Sequence, residues 1–293
     1  MLAESQAGDE GTYLLEQTFR YTYASPVRRL RNRLMVVPRA VHGPQRLFDH
    51  GLTVSGNPVL VSTSSDTFGN QVVELRAAAV AEWIEFDTWA LVGWRAPCAT
   101  TTVPAPAFDD RLLAPSALTR PDAAISDAAA QLRSAGSGEL DLAERACTWT
   151  HRALTYEHGV TGVRTPAAAA LAGGRGVCQD YAHVMVALCR AAGVRARYVS
   201  GHLVGEGGSH AWAEVVVADP TAGDAGRAVA VAFDPTHDRQ AGRGYLTVAV
   251  GRDYADVAPT SGTFEGAGPG VLSARKRLSV VATEAATVAA GSL

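Results

Sequence analysis

Alternation with a period of two runs through the first third of the chain and gives way to helical spacing in the middle. Residues 13–23, YLLEQTFRYTY, are rich in aromatic and β-favouring side chains and stop at Ser25-Pro26, the pattern of a strand. Residues 29–37 alternate basic and apolar side chains up to Pro38. Shorter runs at 47–54, 59–62 and 71–76 read as strands, and 79–90 as a long strand or a strand pair. Asp66-Thr67-Phe68-Gly69-Asn70 supplies a turn, with Gly and Asn where positive φ is tolerated. The expectation is an antiparallel β-sandwich-like domain over 12–96, preceded by a small, polar, disordered segment at 1–11. Trp83, Trp89 and Trp94 are assigned to its core or to a domain interface.

Residues 97–120 carry four prolines, Pro97, Pro104, Pro106 and Pro115, and read as a linker. Helical spacing begins after Pro121-Asp122, with Ile125, Ala128, Ala129 and Leu132 on one face; Ser137-Gly138 breaks it. A second helix covers 139–154, and Thr165-Pro166 opens a short alanine-rich helix through Leu171. A fourth has Ala182, Met185, Val186 and Cys189 as its apolar stripe and ends at Gly193. Strands follow at 195–203, 209–217, 229–233, 245–250 and 277–283. Helices first and an antiparallel sheet second make residues 121–285 an α+β core with a C-terminal extension.

The turn GGRG before the fourth helix places Cys178 in its first turn. The unpaired N–H groups and partial positive charge of a helix N-terminus favour a thiolate, which is the nucleophile. His210 stands at the mouth of the 209–217 strand, and Asp234 ends the next strand at Asp234-Pro235. Cysteine, histidine and aspartate in that order are competent for acyl transfer: attack, proton shuttling, and an acid that fixes the tautomer. The same residue types bind zinc, but neither a fourth ligand nor an HExxH spacing accompanies them, so no metal or other cofactor is expected.

Four segments, GVCQDYAHVMVALCRAAGVRARYVSGHL, SHAWAEV, FDPT and GRDYADVAP, occur in the order found in the bacterial transglutaminase-like superfamily, which the chain resembles from about residue 123 to 266. The resemblance implies a papain-like core with Cys178, His210 and Asp234 as its triad. Tyr21, Tyr23, Ser25, Pro26, Val27, Pro38-Arg39, Gln45 and the 66–70 turn resemble the β domain that precedes this core, without obvious chemistry. His237 stands where relatives often carry asparagine and adds a second titrating group near the site.

Gln179, Asp180, Tyr198 and Trp212 are candidates for the substrate pocket, each with an ordinary alternative: first-turn capping for the first two, core packing for the aromatics. His183 is read as structural, since five positions beyond Cys178 is another helix face. Arg252, Asp253 and Tyr254 either close over the site or hold their loop by an ion pair. The Cys178 N–H is the natural oxyanion donor; the second donor is not readable.

A length of 293 residues fits two domains. A net charge of -3 without long basic runs argues against nucleic acid as a partner, and no apolar stretch reaches the length of a membrane span. Four cysteines without paired spacing, and an N-terminus unlike a signal peptide, lead to the expectation of a reducing, cytoplasmic compartment. The expected activity is cleavage of an amide or peptide bond in a peptide, protein or small amide, through a thioester resolved by water. A transglutaminase-type transfer to an amine and a non-catalytic peptide- or protein-binding module are the alternatives.

Overall fold

The computed structural model describes residues 10–95, 100–103, 110–136, 138–219 and 228–283. Its first part is two antiparallel sheets. Strands β1 (Glu10–Thr22), β2 (Val27–Leu34), β3 (Val41–His42), β4 (Gln45–Ser55), β5 (Leu60–Ser65), β6 (Gln71–Val80) and β7 (Trp83–Arg95) follow in sequence. The expected 79–90 strand is therefore two strands meeting at a turn. Inward residues Phe19, Leu30, Leu34, Leu75, Ile84 and Phe86 fill the space between the sheets, which is what alternation on each strand demands. Trp89 departs from the core assignment: it is 42% exposed and lies across Gly51 on the neighbouring strand.

The second part begins earlier than its helices. Strand β8 (Thr100–Val103), inside the expected linker, pairs with β13 (Ala228–Asp234). Leu112 and Thr119, also in that segment, are buried. Helices α1 (Ala123–Ser134), α2 (Glu139–Ala153) and α3 (Ala167–Gly173) pack around α4 (Cys178–Ala191). Asp122 caps α1 by accepting from the Ile125 N–H at 2.9 Å. Pro166, not Thr165, is the N-cap of α3; the Thr165 hydroxyl instead accepts from the Gly162 N–H. Short strands β9 (Thr155–Tyr156) and β10 (Arg175–Gly176) pair beside the start of α4. The main sheet runs β14 (Arg239–Gln240), β13, β12 (His210–Ala218), β11 (Ala196–Leu203) and β15 (Tyr245–Gly251). A single turn, α5 (Tyr254–Val257), follows.

Helix α4 is buried on every side from Asp180 to Arg190 rather than along one stripe. Most of its side chains meet the helices and β12–β13. Ala182 faces the other way, toward Tyr13, Leu15 and Met35 of the β domain. Arg190, 6% exposed, donates to the carbonyls of Leu112, Ala196 and Arg252 and to the Thr119 hydroxyl. One guanidinium thereby ties three passing segments to the helix end.

The final strands do not extend the core. β16 (Thr260–Glu265) pairs with β2, and β17 (Val271–Thr283) pairs with β1 along its full length. Residues 260–283 complete the two β-domain sheets, so the domain is built from both ends of the chain and the core lies between them. At the N-terminus, residues 10 and 11 belong to β1; residues 1–9 and Cys98 lie outside the described residues. Among the described residues no helix is long and apolar enough to cross a membrane.

Two amides join the domains. Gln45 Nε2 donates to the Thr247 carbonyl at 2.8 Å and its Oε1 accepts from the Thr247 N–H at 2.8 Å. Asn70 makes the same pair of bonds to Val250, at 2.7 and 2.9 Å. Both are fully buried. They occupy the open edge of β15 as a neighbouring strand would.

Candidate active site

Gly174, at φ 62°, ends α3 in the left-handed region and turns the chain toward β10. Gly176 then passes so close to Asp180 that a Cβ there would stand 2.6 Å from its carboxylate oxygen. That oxygen accepts from the Val177 N–H at 2.8 Å and from the Thr161 hydroxyl at 2.6 Å. The glycines and Asp180 thus lock the first turn of α4, and the turn presents Cys178.

Cys178 is half-buried, whereas Cys147 and Cys189 are buried and their thiols pushed up to about 12 by burial. His210 begins β12 and Asp234 ends β13, which pair antiparallel. His210 Nε2 lies 2.7 Å from Asp234 Oδ2, with both side chains almost wholly enclosed. Burial alone would lower the imidazole pKa; hydrogen bonding to Asp234 and to Cys178 outweighs it and raises it to about 10. Asp234 is driven the other way: its bonds from His210, His237 and Tyr245 overcome burial and hold it well below the usual carboxylate range. With Nε2 committed to Asp234, Nδ1 is the nitrogen left to serve the sulfur.

The structure thus brings Cys178, His210 and Asp234 together, and it buries the pocket candidates beside them. Asp180 is fully buried and holds the helix start. Gln179 is 9% exposed and donates to the Gly162 carbonyl at 3.2 Å. Tyr198 and Trp212 are 2% and 1% exposed. Tyr198 packs between His183 and Tyr254, and Trp212 stacks beside His210 and against Tyr245. Asp180, Tyr198 and Trp212 are therefore supports and not pocket walls, because a strand buried on both faces leaves its aromatics no open side.

His183 accepts the Tyr254 N–H on Nε2 at 3.1 Å, and burial lowers its pKa to about 4. It is structural and neutral. The Arg252-Asp253-Tyr254 segment is structural too: Arg252 pairs with Asp256 at 3.0 Å, and Asp253 caps α5.

Several groups at the site carried no sequence signal. Tyr245 donates to Asp234 Oδ2 at 2.7 Å. Glu206, on the turn between β11 and β12, stands 3.2 Å from His210 Nδ1. The Tyr156 hydroxyl faces the Cys178 backbone N–H; burial raises its pKa, and the Cys178 sulfur adds to that. Lys276, on β17, has its pKa lowered by burial and partly restored by the Cys178 sulfur. The last strand of the β domain therefore carries a cation toward the thiol. His237, noted as a possible second titrating group, donates from Nδ1 to Asp234 Oδ2 at 2.7 Å.

A thiol at the start of a buried helix, faced by a histidine that an aspartate on the next strand holds, is the arrangement of a papain-like cysteine enzyme. Residues 126–227 match the transglutaminase-like superfamily, and residues 13–91 match the bacterial transglutaminase-like N-terminal region. The chain belongs to this superfamily, with the bacterial N-terminal domain ahead of the core. Its fold is similar to the crystal structure of "a Putative Cysteine Protease from Cytophaga hutchinsonii", with a TM-score of 0.76 at 21% identity, covering 94% of this chain and 93% of that one. Over 133 residues it is 41% identical to an uncharacterized protein of Mycobacterium leprae, covering 42% of this chain and 44% of that one. The corresponding match to an uncharacterized protein of Mycobacterium tuberculosis is 38% over 133 residues, 42% and 40% of the two chains. The chain spans less than half the length of the curated relatives it matches.

Proposed function

We propose that the chain is a cysteine-nucleophile acyl-transfer enzyme that hydrolyses an amide or peptide bond. The observation that carries this reading is the half-buried Cys178 facing an imidazole whose far nitrogen is fixed by a buried aspartate. The Cys178 sulfur attacks the carbonyl carbon. The C–N bond breaks as His210 gives its proton to the departing amine, leaving a thioester on the sulfur. Water then attacks the thioester, His210 takes its proton, and the carboxylic acid product leaves as the thiolate returns. Water is favoured over an amine as the second nucleophile because the site opens to solvent at Glu206 and His237, whose side chains are 36% and 35% exposed.

The test is iodoacetamide labelling of each cysteine in wild type and His210→Ala, followed by assay of peptide amides. Cys178 is expected to label first, and His210→Ala to cut its rate by about 10²–10³. Labelling of Cys178 no faster than Cys147, with no effect of His210→Ala, sinks the proposal in favour of a peptide-binding module. Product that appears only when an amine is added assigns the enzyme to the transferases instead.

A further inference from the structure

Glu206, His210 and His237 converge in a pattern that ordinary surface charges do not show. Asp234 Oδ2 lies 2.7 Å from both His210 Nε2 and His237 Nδ1. A buried carboxylate accepts, so each ring presents that nitrogen as an N–H. The nitrogens left over both turn to Glu206: His210 Nδ1 is 3.2 Å from Oε2, and His237 Nε2 is 3.4 Å from Oε1. Two ring nitrogens and one carboxylate thus face a common point from three residues. Donor atoms of the three residues all lie within 4.8 Å of one another.

A histidine that binds a metal characteristically gives its other N–H to a carboxylate, which sets the tautomer and the ring orientation. Here one carboxylate does this for both rings. A tetrahedral zinc ion about 2.1 Å from its ligands holds them roughly 3.4 Å apart, close to the 3.2 and 3.4 Å between Glu206 and the two histidines. Two imidazole nitrogens and one carboxylate oxygen suit zinc, whereas magnesium and calcium call for oxygen ligands. Glu206 and His237 are each about a third exposed, so an ion reaches the site from solvent.

We propose that Glu206, His210 and His237 bind one zinc ion, with Asp234 as the shared outer partner of both histidines, and that the bound ion silences Cys178 by occupying His210 Nδ1. The site departs from the sequence expectation, which sought ligands among Cys178, His210 and Asp234 and found no fourth. It makes the histidine available either to the sulfur or to the metal. The binding claim stands on the ligand geometry alone; the silencing claim rests on the acyl-transfer reading.

Two measurements separate these claims. Zinc binding is measured by competition with a chromogenic chelator in full-length Cys178→Ala, which has no site thiol. One ion per chain is expected. Glu206→Gln and His237→Ala, each added to Cys178→Ala, should weaken binding about a hundredfold, and Asp234→Asn about tenfold to a hundredfold. Absence of binding in Cys178→Ala, or equal binding in His237→Ala, overturns the site. In wild type, one equivalent of zinc should slow iodoacetamide labelling of Cys178 at least about tenfold, reversibly with a chelator; His237→Ala should label at one rate with or without zinc. Zinc protection that survives His237→Ala overturns the silencing mechanism. A Cys178 that labels slowly even without metal defeats the acyl-transfer reading, while binding to Cys178→Ala still decides the metal site.

Discussion

Two buried carboxylates on adjacent strands, Glu214 on β12 and Asp234 on β13, each hold a histidine, and they do so in opposite ways. Glu214 Oε1 lies 2.6 Å from His42 Nε2, and Oε2 takes Arg197 at 2.6 and 2.7 Å. A guanidinium holds its charge, so this network has a permanent counterion. His42 comes from the β domain, and the pair joins the two domains. Asp234 is bound by two imidazoles and a phenol, His210, His237 and Tyr245. Each imidazole turns its second nitrogen to Glu206 at the site, while the Tyr245 hydroxyl also accepts from Arg239. The comparison teaches that a buried histidine–carboxylate pair is not in itself a catalytic signature. A guanidinium on the same acid makes the group a clasp; donors with a free second nitrogen make it a device for moving protons.

The largest effect should come from breaking the clasp. Glu214→Ala leaves Arg197 and His42 buried without their acid and should cost about 3–5 kcal/mol in urea unfolding. Asp234→Asn keeps the shape of the other site and should cost only about 1–3 kcal/mol while slowing Cys178 labelling. The reverse order of stabilities would end the distinction. Next is a buried histidine without a carboxylate bond. His183 is neutral when folded, with a pKa of about 4 against 6.5 for the free group. The unfolded chain therefore binds the proton first as pH falls. Its contribution is full above pH 6.5 and is lost on acidification through about 4, by up to about 3 kcal/mol. Subtracting the acid-unfolding curve of His183→Gln from that of wild type isolates this loss, and superimposable curves would refute it. The smallest effect concerns the amide seal. Gln45→Ala leaves the Thr247 N–H and carbonyl buried without partners and should cost about 2–3 kcal/mol. A change within about half a kcal/mol would mean that water takes over the edge.

The helix that presents Cys178 was legible because a glycine-rich approach, a continuous apolar run and a closing Gly193 lie next to one another in the chain. The strand ends that carry His210 and Asp234 were legible for the same reason, since Gly205-Glu206-Gly207-Gly208 and Pro235 mark them locally. What escaped is whatever depends on a partner distant in sequence. The sequence shows a strand at 277–283, but neither its start at Val271 nor its return to β1. Gln45 and Asn70 read as unremarkable polar residues, because an amide that replaces a strand partner has no pattern of its own. The sequence leaves Trp212 and Tyr198 between lining the pocket and packing in the core. Only the packed structure reports that both are covered.

The return of the last strands has a consequence for how the molecule is made. Both sheets of the β domain lack a strand until β16 and β17 have been synthesised, although β1–β7 leave the ribosome first. The core, from β8 to α5, emerges whole in the interval. Pairing Leu15 with Leu278 closes a loop of most of the chain, the kind of long-range contact that slows folding. Until that closure, Lys276 is absent from the thiol's surroundings and one edge of β1 is unpaired. The newborn chain thus holds Cys178, His210 and Asp234 before it holds their full enclosure, and the last step of folding is also the last step in assembling the site.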